Sequence, residues 1–373
     1  MSLHVAIPKL RPTRSAARFR ERYRTGDRSQ LALIVIAFLA AGALFSLTFS
    51  MTSGASDASV VDVIRGPLGR NGSESVLSAR DRIIILDIRL PRAILGFLIG
   101  AALAVSGAVM QGLFRNPLAD PGLIGVTAGS SLGAVAMIVL GSTVAAPAYR
   151  MFGIFTLPVA AFVGALVVTI LLYRVATRHG QTSVATMLLA GIAVSSLAIA
   201  ITGILIYMAD DKQLRDLTFW SMGSLAGATW IKIAAAAPII LISFLSLPLM
   251  ARGLNAITLG EAAAFHMGIP VQRLKNTAIV AVAAATGASV AVSGGIGFVG
   301  IIVPHVLRLL IGPDNRFLLP ASALLGGSLL IFADVFARTV VAPAELPIGI
   351  VTAGVGGPFF LWILLRNRSR LSL

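Results

Sequence analysis

The glycines Gly295, Gly297 and Gly300 of GGIGFVG carry the G-x-G-x-x-G spacing that lets a backbone approach a pyrophosphate. That chemistry also needs a strand before the motif and a helix after it. Here the motif lies between two apolar runs, so a dinucleotide site is rejected. None of the four lysines, Lys9, Lys212, Lys232 and Lys275, follows a G-x-x-x-x-G-K-[ST] loop, so the chain has no phosphate cradle of that kind either. Cysteine is absent, which removes disulfides and thiolate metal sites. Of the histidines His4, His179, His266 and His305, only the last, in VPHVLR, invites comparison with a haem ligand. A hydrogen-bonded histidine at a helix end is the preferred reading, and no metal site is assigned.

A second stretch, RNPLADPGLIGVTAGSSLGA (115–134), sets a charged turn against small residues. Pro117 and Pro121 lack an N–H and hold the chain out of helix, which keeps Asn116, Ala119 and Asp120 in an irregular connection. Irregular backbone at membrane depth is tolerated where protein buries it or a water-filled cavity receives it. A rigid polar constriction and a simple chain reversal both satisfy that condition. Beyond the turn, Gly125, Gly129 and Gly133 recur every four residues, and Gly96 with Gly100 repeats the spacing upstream. Such ridges let helices approach closely in lipid, and tight helix packing is their expected role.

These residues must be positioned by membrane elements. Hydrophobic residues make up 57% of the 373, charged residues 12%, and mean hydropathy is +0.92, more apolar surface than one water-soluble core can hide. Ten apolar runs approach the ~20 residues a helix needs to cross the hydrocarbon: 31–51, 93–113, 122–141, 154–173, 185–208, 231–250, 276–293, 295–312, 317–337 and 346–365. Their continuity favours helices over the alternating strands of a barrel. The first is read as a retained span rather than a cleaved signal sequence, being longer than an ordinary signal core. The expected fold is therefore an all-α polytopic membrane protein of about ten transmembrane helices. It has a basic cytoplasmic tail (1–30), a permease domain (31–366) and a short cytoplasmic tail (367–373).

The net charge of +15 has a topological explanation. With both termini in the cytoplasm, that side holds 19 of the 30 Lys/Arg and five of the 15 acidic residues, the bias the positive-inside rule requires. The tail RPTRSAARFRERYR is accordingly read as a lipid-headgroup anchor, and nucleic acid is not expected as a partner. Outside the spans, 51–90 forms an external loop. DDKQLRDLTFW, within 210–230, can form a short amphipathic external helix. ARGLNAITLGEAAAFHMGIPVQRLKN (251–276) lies in the cytoplasm. In that segment Leu254, Ile257, Ala262 and Phe265 make an apolar stripe, Gly268 offers a C-cap and Pro270 restarts the chain, so two short helices joined by a glycine turn are expected. The residues leave open whether the segment docks a partner or skims the headgroups.

Four motifs in order carry a resemblance over about 89–365: RLPRAILGFLIGAALAVSGAVMQGLFRNPLADPGLIGVTAGSSLGA, GEAAAFHMGIPVQRLK, GGIGFVGIIVPHVLRLLIGPDNR and ELPIGIVTAGVGGPFFLWILL. Together they resemble the FecCD family, membrane permeases of ATP-binding-cassette (ABC) importers for cobalamin, ferric siderophores and haem. The resemblance implies a type II ABC importer permease fold, a homodimer with its pathway on the twofold axis, and two cytoplasmic ATPase subunits that bind ATP and Mg. It also implies a periplasmic substrate-binding protein and residence in a bacterial inner membrane. The chain itself is then no enzyme and holds no cofactor.

By the same resemblance, Leu254, Leu259, Gly260, Glu261, Ala262, Gly268, Ile269, Pro270 and Arg273 couple to the ATPase, with Gly268 at the turn between two coupling helices. Arg89, Arg92 and Arg338 dock the binding protein; their planar, permanently charged forks suit carboxylates. Asn116 and Leu118 narrow the cytoplasmic end of the pathway, and Thr182 and Ser183 in HGQTSVAT belong to a second gate. Ionisable residues within the runs, Arg92, Lys232, His305, Arg308 and Asp334, lie near their ends. An ion-coupled carrier would keep such a group near mid-bilayer, so an external energy source is favoured. The cargo order is haem, ferric siderophore, then cobalamin, with a wide and weakly binding pathway.

Overall fold

The computed structural model describes residues 28–54, 79–141, 143–178 and 181–366. Most of the basic tail, the external segment 55–78, His4, His179 and the C-terminal tail 367–373 lie outside the described residues.

Every expected apolar run falls on a helix. In chain order these are α1 (Ser29–Thr52), α2 (Leu90–Phe114), α3 (Val126–Leu140), α4 (Ala146–Phe152), α5 (Thr156–Ala176), α6 (Val184–Tyr207), α7 (Asp211–Ser221), α8 (Trp230–Leu245), α9 (Leu247–Ile257), α10 (Glu261–His266), α11 (Val271–Ser293), α12 (Val299–Ile311), α13 (Asn315–Thr339) and α14 (Ile348–Arg366). Among the described residues, six helices are long and apolar enough to cross a membrane alone. The bent pair α8 and α9 adds a seventh, and α3, α12 and α14 are shorter apolar helices. A helix suits these stretches because it satisfies its own backbone where no water can.

Two sequence expectations move. The run 231–250 is not one straight span: α8 ends at Leu245 and α9 leaves it at 50°. In addition, α2 is extended backward by the helical segment Ala79–Arg82 and a π-helical stretch, Ile83–Arg89. The short helix expected within 210–230 takes shape in α7, where Asp210 and Gln213 form a reciprocal capping box.

The centre of the bundle is α2, packed against α1, α8, α11, α12 and α13. Its small residues explain the approach. A Cβ on Gly100 would run into the carbonyl of Gly326 in α13, and one on Gly107 into that of Gly300 in α12. Gly96 faces the Leu225 and Ile331 side chains and no backbone, so the tight ridge of α2 is Gly100 and Gly107 rather than Gly96 and Gly100. Downstream, Gly129 and Gly133 of α3 lie on the backbone of Gly164 and Ala160 in α5. Gly125 departs from the expected ridge. It caps α3 with φ +74°, outside the helix, although a Cβ there would still strike Val168 of α5. Gly300, the last glycine of the rejected dinucleotide motif, thus serves helix packing.

Candidate functional site

The turn after α2 is a network of local bonds. Arg115 closes the helix in the left-handed conformation. The Asn116 side chain accepts from the Leu118 N–H at 2.9 Å, the Asp120 carboxylate from the Gly122 N–H at 2.7 Å, and the Asn116 carbonyl from the Ala119 N–H at 3.1 Å. The two prolines leave no helical alternative, and the short polar side chains replace the missing backbone partners. Asn116 is exposed, Leu118 half-buried and Ala119 fully buried. Burial pushes the Asp120 carboxyl above the ordinary carboxylate range, against the bond from Gly122. The connection is a fixed polar corner rather than a loose reversal.

At the same end of the bundle, α5 and α6 are joined by a two-rung antiparallel ladder pairing Thr177 with Thr182 and Arg178 with Gln181. Thr182 is buried and its hydroxyl meets that of Thr177 at 2.9 Å, whereas Ser183 is exposed and caps α6 through the Thr186 N–H. The expected gate residues Thr182 and Ser183 therefore differ in environment, although they are neighbours.

The segment 251–276 is built differently from expectation. The first short helix is α9, starting at Leu247, and it ends at Ile257. The break between the two short helices is Gly260, with φ +110°; Gly268, with φ +80°, instead separates α10 from α11. Both φ values lie in the region an L side chain rarely adopts. The apolar stripe also divides. Leu254 and Ile257 are buried, while Ala262 and Phe265 face outward because Gly260 re-aims the chain. Leu259 (72% exposed) and Phe265 (69%) then present apolar surface together with Met267. Ile269, Pro270 and Arg273 line a shallow cavity of about 310 Å³ with Gly253 and Leu274.

One junction joins this segment to the α5–α6 ladder. The Lys275 ammonium, 4% exposed, donates to Glu261 Oε2 at 2.7 Å and to the Thr182 carbonyl at 2.8 Å. Gln272 accepts from the Thr182 N–H at 2.9 Å and donates to its hydroxyl at 2.7 Å and to Asn276 at 2.8 Å; Asn276 in turn accepts from the Tyr173 hydroxyl. Sequence reasoning singled out Glu261 and Thr182 but missed Lys275, Gln272 and Asn276. Their spacing on one face of α11 was the available signal. A second bond set, also missed, ties α9 to α13. Asn255 donates to Asp314 Oδ1 at 2.7 Å and accepts from the Asn315 N–H at 2.8 Å.

At the opposite end, the three arginines expected to dock a binding protein are buried. Arg92 forms bidentate bonds to both Asp334 and Glu345 at 2.9–3.0 Å. Arg338 donates to the Ser50 carbonyl and hydroxyl at 2.7 and 2.9 Å, with its Nε 3.7 Å from Asp334, and Arg89 donates to the Met51 carbonyl at 2.8 Å. Packing brings the three together but turns their forks into the subunit, where Asp334 and Glu345 pair with Arg92 and Asp334 also faces Arg338. His305 meets the Phe359 ring edge-on, 6.3 Å between centroids. Among the described residues no cluster of His, Asp or Glu could hold a metal ion.

A bundle of apolar helices of membrane-spanning length, packed closely through glycines, defines a polytopic membrane protein. Within that class, residues 39–366 match the model of the FecCD transport family, and the chain belongs to that family. It is 46% identical over 289 residues to the hemin transport system permease protein HmuU of Yersinia pestis, covering 78% of this chain and 85% of the relative. It is also 44% identical over 287 residues to the cobalamin import system permease protein BtuC of Halobacterium salinarum, covering 77% and 74%. The vitamin B12 import system permease protein BtuC of Salmonella paratyphi A is 43% identical over 295 residues, covering 78% and 86%. A solved structure of a metal-chelate type ABC transporter in an inward-facing conformation superposes with a TM-score of 0.75 at 30% identity, covering 90% of this chain and 99% of that one. The protein is thus an ABC importer permease.

Proposed function

We propose that this permease moves an iron chelate, haem in preference to ferric siderophore, across a bacterial inner membrane. It acts as a homodimer with both termini in the cytoplasm. Two cytoplasmic ATPase subunits supply the energy, and a periplasmic binding protein delivers the cargo. The observation that carries the reading is the Glu261–Lys275–Thr182 junction. It bonds the segment bearing the exposed Leu259 and Phe265, a surface suited to an ATPase cleft, to the short ladder between α5 and α6. A displacement of α10 is thereby handed to the mouth of the pathway through hydrogen bonds and not through lipid.

The 46% identity to a hemin permease supports haem, and 43–44% identity to cobalamin permeases makes cobalamin the second reading. The test is proteoliposome uptake with the permease, its ATPase and its binding protein, offering haem, ferric siderophore and cobalamin in parallel. ATP-dependent haem accumulation is expected. Accumulation by the permease alone on a proton or sodium gradient would overturn the reading, and cobalamin uptake without haem uptake would replace the cargo.

A further inference from the structure

A cavity of about 630 Å³ opens between the start of α1, the end of α9 and the α12–α13 corner, lined by Arg28, Asn255, Arg308, Asp314, Arg316 and Phe317 among others. Arg28, Arg308 and Arg316 thus share its wall with Asp314. Asp314 is engaged by Arg316 at 2.6 Å and by Asn255 at 2.7 Å. Arg308 is held only by neutral acceptors, the Gln111 side chain and the Ala108 carbonyl, and among the described residues no carboxylate lies within ion-pairing distance of it. A half-buried cation without a counter-ion is costly, and an anion entering the cavity relieves that cost.

We propose that this cavity binds a phosphate group, brought by an anionic phospholipid of the cytoplasmic leaflet. The charge bias of the chain puts this end of the bundle in the cytoplasm. Just beyond Arg28, α1 exposes Leu33, Ile34 and Phe38, an apolar face along which acyl chains can continue once the headgroup is held. Basic pockets between membrane helices on that side suit such headgroups. Arginine forks can grip phosphate oxygens in pairs.

The test uses the full-length chain in detergent, titrated with phosphatidylglycerol, phosphatidylcholine or inorganic phosphate, with native mass spectrometry and thermal unfolding as readouts. The wild type is expected to retain phosphatidylglycerol over phosphatidylcholine. The R28Q/R316Q variant should lose about 30-fold in that retention, at ~1 kcal/mol per basic residue near the surface. R28K/R316K, which keeps the charge, should retain it and guards against misfolding, and R174Q/R178Q, outside the cavity, should bind as the wild type does. Protection by inorganic phosphate that R28Q/R316Q abolishes, without preference among lipids, would keep the site and make its ligand a soluble phosphate. No preference and no phosphate protection, or equal losses in R28Q/R316Q and R174Q/R178Q, would overturn the proposal.

Discussion

Replacing Lys275 by Met tests the proposed coupling junction directly. The substitution keeps an unbranched, apolar stem of similar length on α11 and removes the ammonium that holds Glu261 and the Thr182 carbonyl together. The Glu261 side chain is 43% exposed, so the ion pair is screened by water and contributes at most ~1 kcal/mol. The bond from the buried ammonium to the Thr182 carbonyl is worth about 1.5–3 kcal/mol before the relief of burying a charge is subtracted. A net loss of about 1–2 kcal/mol follows, too little to unfold the bundle, because Thr182 keeps both Gln272 bonds and its ladder partner. As a bias between two gate positions, however, 2 kcal/mol is a population change of about 30-fold. The assay is ATP hydrolysed and cargo accumulated by the same proteoliposomes, with the unfolding midpoint measured in parallel. Hydrolysis is expected to persist while cargo per ATP falls about ten-fold or more, and Lys275→Arg should recover part of it. An unchanged cargo-to-ATP ratio in a folded Lys275→Met permease would refute the reasoning.

The remaining predictions concern packing, burial and pH. Gly107→Ala drives a methyl group into the Gly300 carbonyl and should lower stability by about 1–3 kcal/mol in thermal unfolding, whereas Gly203→Ala, with nothing within 4 Å, should not. Arg92→Ala leaves Asp334 buried against Arg338 alone and should cost about 3–5 kcal/mol; adding Asp334→Asn, which removes the stranded charge, should recover part of it. Burial by itself would raise the Asp314 carboxyl, but the bonds from Arg316 and Asn255 outweigh it and hold the group below its ordinary value of 3.8. Its contribution is therefore full above about pH 4 and lost as pH falls through the depressed folded-state value. Asp314→Asn should flatten that acid limb of the stability profile.

The ten apolar runs could be read from the chain because hydropathy is local, and a helix in lipid satisfies its own backbone without help from distant residues. The corner at Asn116 and Asp120 was readable for the same reason, since its bonding groups lie within three residues of one another. The segment 251–276 was readable only in part. Its glycines marked turns, but which of Gly260 and Gly268 separates the two short helices depends on where α9 begins, and that is set by the 50° bend after α8. The arginines were found by type, yet their direction was not, because the Asp334 and Glu345 partners of Arg92 stand 242 and 253 residues away.

What the sequence by itself determined is where the apolar helices lie, the charge asymmetry of the segments between them, and the small residues available for close approach. Only the tertiary structure decided which glycines meet backbone, as Gly107 meets Gly300, and that Lys275 spans from Glu261 to Thr182. The reason is that burial of a charge is worthwhile only where several chain segments converge to supply its partners, and convergence is a property of the packed bundle.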